Sequence, residues 1–228
     1  MEKTNTMTKI YNVIIMDRSG SMEAIRDSAI MGYNEVLSGV KAAKAKYAGV
    51  QEQVMTLVLF DSSSIDRVHW NEDPDKAVPL THETYIPGAC TPLFDAMGLT
   101  LTHLEKELKG QKDYSVVVTI ITDGYENSSQ EYDLASIRSL VERLKAEGWT
   151  FAYMGTDHDV TSVASKIYIN NVINFAKTEE ETRMAFEKER CARVFHSKMM
   201  AEYDMAHPDA DWEEKKAFDK SISEDYYI

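Results

Sequence analysis

The stretch IYNVIIMDRSGSM, residues 10–22, joins a largely apolar run to a short loop of oxygen-bearing side chains. Such a run is typical of a strand buried on both faces of a parallel sheet. Asp17, Ser19 and Ser21 follow at alternate positions, so one tight turn can direct all three side chains to the same side. Gly20 lets that turn bend. The stretch therefore predicts a buried strand whose carboxyl end carries a cluster of hard oxygen ligands.

Further apolar runs alternate along the chain with segments of helical periodicity. Strand-like runs lie at residues 54–60, 114–122, 149–154 and 172–175. Between them, apolar residues recur at steps of three and four, as in amphipathic helices. Residues 65–70 follow the second run after a polar turn, which predicts an antiparallel edge strand. The sequence thus predicts an α/β fold, with a Rossmann-like, doubly wound, mostly parallel six-stranded sheet, one antiparallel edge strand and helices on both faces.

The chain becomes strongly charged from Thr178 onward, which predicts a C-terminal helical extension. Thr178 and Glu181 have the spacing of a capping box at a helix start. Pro208 breaks this helix, and residues 212–221 form a further short helix before a tail that we expect to fray.

Length and composition fit one domain with this extension. The chain has 228 residues, 43% of them hydrophobic, which is enough for one hydrophobic core. We expect a single domain over residues 1–177 and a helical extension over residues 178–228, packed on that domain or trailing from it.

Charge and hydropathy exclude several classes of partner. The net charge of -13 argues against a surface for nucleic acid or anionic lipid. No apolar run approaches the ~20 residues that span a bilayer, and the first run is too short for a signal peptide. Cys90 and Cys191 lack a metal-ligand spacing and suit a reducing compartment as buried or idle thiols. We expect a cytoplasmic protein that binds neither nucleic acid nor membrane.

Oxygen-bearing side chains recur at two further points that the predicted sheet brings to one edge. Asp123 follows the strand at residues 114–122, and Thr91 stands before Pro92, which fits the first position of a helix. Open sheets of this topology bind ligands at the carboxyl ends of their strands. Each motif alone also suits a helix cap or a turn. Their joint occurrence in this order indicates a metal site.

The motifs Asp-x-Ser-x-Ser, Thr-Pro and Thr-Asp-Gly resemble, in this order, the metal-ion-dependent adhesion site of the von Willebrand factor type A (vWA) family. All five family positions are filled here, by Asp17, Ser19, Ser21, Thr91 and Asp123. The stretches DRSGSM, TLVLFD, ETYIPG, ITDGYENSS and GWTFAYMG resemble small, stand-alone bacterial and phage-borne versions. The resemblance implies that Ser19 and Ser21 bind the cation directly and that Thr91 joins them in the ligand-ready state. The two carboxylates act directly or through water.

The donor set predicts the kind of cation and ligand. Five oxygens without Cys or His form a hard site that suits Mg²⁺, with Mn²⁺ or Ca²⁺ as alternatives. Because Mg²⁺ takes about six oxygens, one position is available to a carboxylate from another chain. We therefore expect a non-enzymatic, metal-dependent protein-binding module whose partner offers an Asp or Glu carboxylate.

Two other functions stay open. In one, the cation is only a structural clamp that joins the three loops. In the other, Asp17 is the nucleophile of a Mg²⁺-dependent phosphoryl-transfer or hydrolytic enzyme, although the related phosphatase motif has a second Asp where this chain has Ser19. No nucleophile has an adjacent general base, and none of the six histidines lies in the three loops, so we expect no enzyme.

A few neighbouring residues are open to interpretation. Glu126 and Asn127 are candidates for the rim of the site. Asp157, His158 and Asp159 look like metal ligands, but Asp159 is better explained as a helix cap.

Overall fold

A computed structural model describes residues 7–156 and 160–227, and its six strands form one sheet. The strands are β1 (Thr8–Asp17), β2 (Gln51–Asp61), β3 (Ser64–Glu72), β4 (Tyr114–Thr122), β5 (Thr150–Thr156) and β6 (Asn171–Phe175). The strand order is β3-β2-β1-β4-β5-β6, and every neighbouring pair is parallel except β2 and β3. The predicted doubly wound sheet with one antiparallel edge strand is confirmed.

Helices cover both faces of this sheet. They are α1 (Arg26–Lys46), α2 (Leu93–Leu108), α3 (Leu134–Ala146), α4 (Val160–Lys166), α5 (Glu179–Ala206) and α6 (Trp212–Ser223), and a 3₁₀ helix (Gly20–Ile25) precedes α1. Val13 and Ile15 of β1 pack into the core beneath α2, α3 and α4, whereas Ile14 and Met16 pack into the core beneath α1 and α5. Both faces of β1 are therefore buried, which explains its continuous apolar run.

Two glycines let α5 lie close against α1. A Cβ atom at Gly32 would stand 2.1 Å from Cγ of Phe186, and one at Gly39 would stand 2.9 Å from Cγ of Arg190. Glycine inside a helix costs about 1 kcal/mol relative to alanine. The close approach of the two helices accounts for its presence here.

A buried polar network fixes α5 to the sheet and contradicts the expected frayed tail. Arg193 donates to Glu189 and to Thr119 of β4, at 2.9 Å and 2.7 Å. The hydroxyls of Tyr226 and Tyr227 donate to the same Glu189 carboxylate, at 3.3 Å and 2.7 Å. A buried carboxylate needs such partners, so the tail folds back over it. The prediction of fraying was wrong because nothing in the local sequence marks Glu189 as buried.

Two predicted helix starts need small corrections. Thr178 caps α5 by accepting from the Glu181 amide at 3.2 Å, but the Glu181 carboxylate accepts from the Ala176 amide instead of from Thr178. Only half of the capping box forms, because the Thr178 amide already donates to the Ala176 carbonyl. Pro92 stands just before α2 with a non-helical ψ of 62°, so the helix begins at Leu93, one residue later than predicted.

No helix in the described parts of the chain is long and apolar enough to cross a membrane.

Candidate metal centre

The strand order reverses between β1 and β4, and two of the predicted ligands stand at this point. Asp17 is the last residue of β1, and Asp123 directly follows β4. Thr91 lies two residues before the start of α2. Crevices at such reversals are where open α/β sheets bind their ligands, because neighbouring loops diverge there.

The structure brings the five predicted residues together. The Ser19 and Ser21 hydroxyls are 3.2 Å apart, and Ser21 donates to Oδ1 of Asp123 at 2.5 Å. Gly124 lies in their midst: a Cβ atom there would stand 3.3 Å from Oγ1 of Thr91, 3.5 Å from Oγ of Ser21 and 3.9 Å from Oδ2 of Asp17. Oxygens from three loops thus surround one small space. Metal ligation by these residues stays a prediction.

Asp17 is a fully buried carboxylate at the base of this space. Its Oδ1 accepts from the Ser19 amide at 2.6 Å, and its Oδ2 accepts from the Thr122 hydroxyl at 2.7 Å. Burial raises the pKa of Asp17 to about 6, and the charge of Asp123 adds to that rise, although the hydrogen bonds from Thr122 and Ser19 oppose it. A bound cation favours the ionised form of a carboxylate, so it would offset the free-energy cost of burying the ionised Asp17 side chain.

Asp123 is the second buried carboxylate, and one of its oxygens lacks a hydrogen bond. Within residues 7–156 and 160–227, no donor reaches Oδ2 of Asp123 with hydrogen-bond geometry. Nζ of Lys177 nevertheless lies 2.9 Å from this oxygen and forms an ion pair with it. Buried polar atoms normally have hydrogen-bond partners. The Asp123 carboxylate can therefore accept more than its hydrogen bond from Ser21, and a hard divalent cation prefers such oxygens.

The donor set consists mainly of hydroxyls. Within the described ranges, no three His, Cys, Asp or Glu side chains converge so as to hold a metal ion. The centre has two carboxylates, and its other three donors are the hydroxyls of Ser19, Ser21 and Thr91. A donor set that has few charged ligands and consists only of oxygen atoms suits Mg²⁺, which keeps several waters in protein sites.

Glu126 and Asn127 hold the loops of the site together. The Thr91 amide donates to Oδ1 of Asn127 at 2.8 Å, and the Asn127 amide donates to the Thr91 carbonyl at 3.2 Å. Oε2 of Glu126 accepts from the Phe94 amide at 2.9 Å and from the Ser129 hydroxyl at 2.6 Å. These two residues therefore fix Thr91 against the loop after β4, which is a supporting role that their position in sequence did not reveal.

Three contributors to the site were missed in the sequence. Thr122 donates to Asp17, Tyr85 donates to the Asp17 carbonyl at 2.6 Å, and Lys177 faces Asp123. Signals for two of them existed: Thr122 belongs to the Thr-Asp-Gly motif, and Lys177 follows the end of β6, where strand-end reasoning applies. Nothing in the spacing of Tyr85 indicated its contact.

Other predicted residues lie elsewhere. Cys90 and Cys191 are free and exposed, so of the two expected alternatives, buried or idle thiols, burial was wrong. The Cys90 amide donates to the Ser62 hydroxyl at 3.0 Å, which fixes the backbone and leaves the thiol at the surface. Asp157, His158 and Asp159 fall outside the described residues.

Comparison with known proteins identifies the fold. No protein-family model and no curated protein matches the chain. Proximal thread matrix protein 1 from the mussel byssus, solved with a zinc-occupied MIDAS (metal-ion-dependent adhesion site) motif, matches with a TM-score of 0.54 at 15% identity, over 83% of this chain and 46% of that chain. This chain thus spans about half the length of the mussel protein.

Two bacterial proteins match similarly. The vWF domain of the type V pili tip protein Mfa5 from Porphyromonas gingivalis has a TM-score of 0.53 at 11% identity, over 83% of this chain and 96% of that one. A mutant PilB minor pilin from Streptococcus sanguinis has a TM-score of 0.55 at 12% identity, over 90% of this chain and 64% of that chain. Similarity at such low identity concerns architecture alone. The chain therefore has the fold of a von Willebrand factor type A domain.

Proposed function

We propose that this chain is a non-enzymatic protein-binding module that depends on a divalent cation. Asp17, Ser19, Ser21, Thr91 and Asp123 would hold the ion. One observation carries the proposal: oxygens of Asp17 and Ser21, at and just after the end of β1, and of Thr91, before α2, lie within 3.9 Å of where a Cβ atom of Gly124, in the loop after β4, would stand. Their hard character favours Mg²⁺, with Mn²⁺ or Ca²⁺ as alternatives. When bound, the ion would supply an electrophilic centre that accepts a carboxylate oxygen from a partner.

The burial pattern supports a ligand that approaches from outside. Asp17, Ser19, Thr91 and Asp123 are buried, whereas Ser21 is exposed, so the site opens toward solvent on the Ser21 side. Tyr125 follows Gly124 and is 52% exposed, and exposed aromatic residues are frequent in protein interfaces. An Asp or Glu side chain of a protein partner fits this opening, because a cation prefers an anionic oxygen to a neutral one.

The surroundings of Asp17 argue against aspartyl-phosphate chemistry. Both of its carboxylate oxygens accept hydrogen bonds, from the Ser19 amide and the Thr122 hydroxyl, and the side chain has no exposed surface. A nucleophile needs an oxygen with access to its substrate. Binding is therefore favoured over catalysis by this carboxylate. The cytoplasmic location and the exclusion of nucleic acid and membrane belong to the same proposal and rest on composition and charge.

Affinity capture from lysate tests the proposed function against the structural-clamp alternative. Wild-type protein and Asp17→Asn serve as matched baits, each with Mg²⁺ and with EDTA. We expect a defined partner retained only by the wild type in Mg²⁺, and we expect mutation of one acidic residue in that partner to abolish retention. Retention that is equal in EDTA, or equal for both baits, would show that recognition does not use the metal centre.

A further inference from the structure

Lys177 places a positive charge directly at the candidate metal centre. Its Nζ lies 2.9 Å from Oδ2 of Asp123, whose side chain is fully buried, while the Lys177 side chain is 28% exposed. Lys177 follows β6, so the main chain of the sheet holds it at this edge. A charge next to a buried carboxylate acts through a medium that screens it far less than water does.

We propose that Lys177 lowers the affinity of this centre for the divalent cation and raises the affinity of the cation-loaded centre for an anionic ligand. The inference rests on the proposed function and identifies Lys177 as the residue that adjusts the two affinities of this centre.

The two effects follow from one charge and have opposite signs. A cation that binds Asp17 and Asp123 must compete with the Lys177 ammonium for Asp123, and the two positive charges repel each other. The loaded centre is then more positive than it would be without Lys177, so it attracts a carboxylate more strongly.

The structure also offers space for Lys177 beside the centre. Lys177 lines a cavity of about 220 Å³ together with Asp123, Tyr125 and Val160. The flexible stem of a lysine side chain can turn its ammonium into such a space while the backbone stays in place. Lys177 can therefore move from Asp123 when a cation arrives and still face an anion bound at the same opening.

The test compares neutral and charge-retaining variants in the full chain. Lys177→Met and Lys177→Gln remove the charge, and Lys177→Arg keeps it. Lys109→Met is the matched control, because it removes one positive charge at the exposed C-terminal end of α2, away from the end that begins beside Thr91. Circular dichroism checks the fold of each variant. Two neutral variants with different side chains keep the test decisive if one of them does not fold.

Two readouts separate the two effects. Titration with Mn²⁺, followed by electron paramagnetic resonance of the free ion, should show at least about fivefold tighter binding in the neutral variants. Lys177→Arg and Lys109→Met should stay within about twofold of wild type. Acetate is the anionic probe, and its methyl-proton relaxation on Mn²⁺-loaded protein should show at least about threefold weaker binding in the neutral variants.

Each outcome decides the inference. Tighter Mn²⁺ binding together with weaker acetate binding, confined to the neutral Lys177 variants, supports it. Unchanged or weaker Mn²⁺ binding in those variants overturns it while leaving the metal centre itself intact, and so does wild-type acetate affinity. If neither wild type nor variants bind Mn²⁺, the proposed function fails together with the inference.

Discussion

The Ser21 hydroxyl donates a 2.5 Å hydrogen bond to Oδ1 of Asp123, and this contact ties the loop after β1 to the loop after β4. The two residues are 102 positions apart in sequence. Both are predicted ligands, so the hydrogen bond holds these two donor groups close together. Sites organised in this way bind with less loss of conformational freedom, because their ligands are already in place.

Ser21→Ala removes this donor and should lower stability in the absence of metal. The buried Asp123 carboxylate would lose its hydrogen bond at Oδ1, and an acceptor left unsatisfied costs about 1–3 kcal/mol. Urea unfolding in EDTA measures the change. Ser165→Ala, at an exposed position of α4, is the control and should change stability by less than about 0.5 kcal/mol. Equal stabilities of the two variants would mean that the Ser21 contact contributes nothing.

Thr91→Ala should weaken anion binding more than it weakens folding. The substitution removes one neutral hydroxyl beside the Gly124 space but leaves both carboxylates to hold the cation. We expect acetate to bind Mn²⁺-loaded Thr91→Ala at least about threefold more weakly, while the free energy of unfolding falls by about 1 kcal/mol or less. Methyl-proton relaxation and urea unfolding provide the two numbers. A large loss of stability with unchanged acetate affinity would assign Thr91 to the fold alone.

Cation affinity should fall as the pH falls through about 6. Burial raises the pKa of Asp17 from 3.8 to about 6, so ionised Asp17 destabilises the metal-free fold as pH rises through that interval. A cation binds the ionised form, and its affinity therefore increases over the same interval and levels off above it. We expect Mn²⁺ to bind about tenfold more weakly at pH 5 than at pH 7. Asp17→Asn should flatten the profile, whereas a wild-type profile that is already flat would contradict a role for Asp17.

Gly124→Ala should close the space between the loops. The new methyl group would stand 3.3 Å from Oγ1 of Thr91 and 3.5 Å from Oγ of Ser21, which is where a cation would need room. We expect at least about tenfold weaker Mn²⁺ binding, since displacement of a ligand by tenths of an ångström disrupts the near-ideal geometry that small cations require. Gly88→Ala is the matched control, because no atom lies within 4 Å of its added Cβ. If both variants bind like wild type, the cation lies elsewhere.

The sheet and the convergence of the five candidate ligands at its edge were predictable because their signals are local. The continuous apolar run of β1 reflects burial by helices on both faces. The ligand motifs stand directly at strand ends and at a helix start, where the topology alone brings them together. The vWA resemblance added the order in which these motifs occur.

Contacts made across the fold were not predictable in the same way. Glu189 is a charged residue on a charged helix, yet it is buried beneath Tyr226 and Tyr227 because Arg193 and Thr119 supply its other partners. Glu189 and Arg193 by themselves are consistent with exposed positions on a charged helix. Only the three-dimensional packing of α5 on the sheet makes their pairing necessary.

Titration with Mn²⁺ tests the central claim of a divalent-cation centre most directly. Wild type, Asp17→Asn and the exposed control Glu142→Gln on α3 are compared by electron paramagnetic resonance. We expect one Mn²⁺ per wild-type chain, at least about tenfold weaker binding in Asp17→Asn, and wild-type affinity in the control. Wild-type affinity in Asp17→Asn, or no Mn²⁺ binding by the wild type, would contradict the claim.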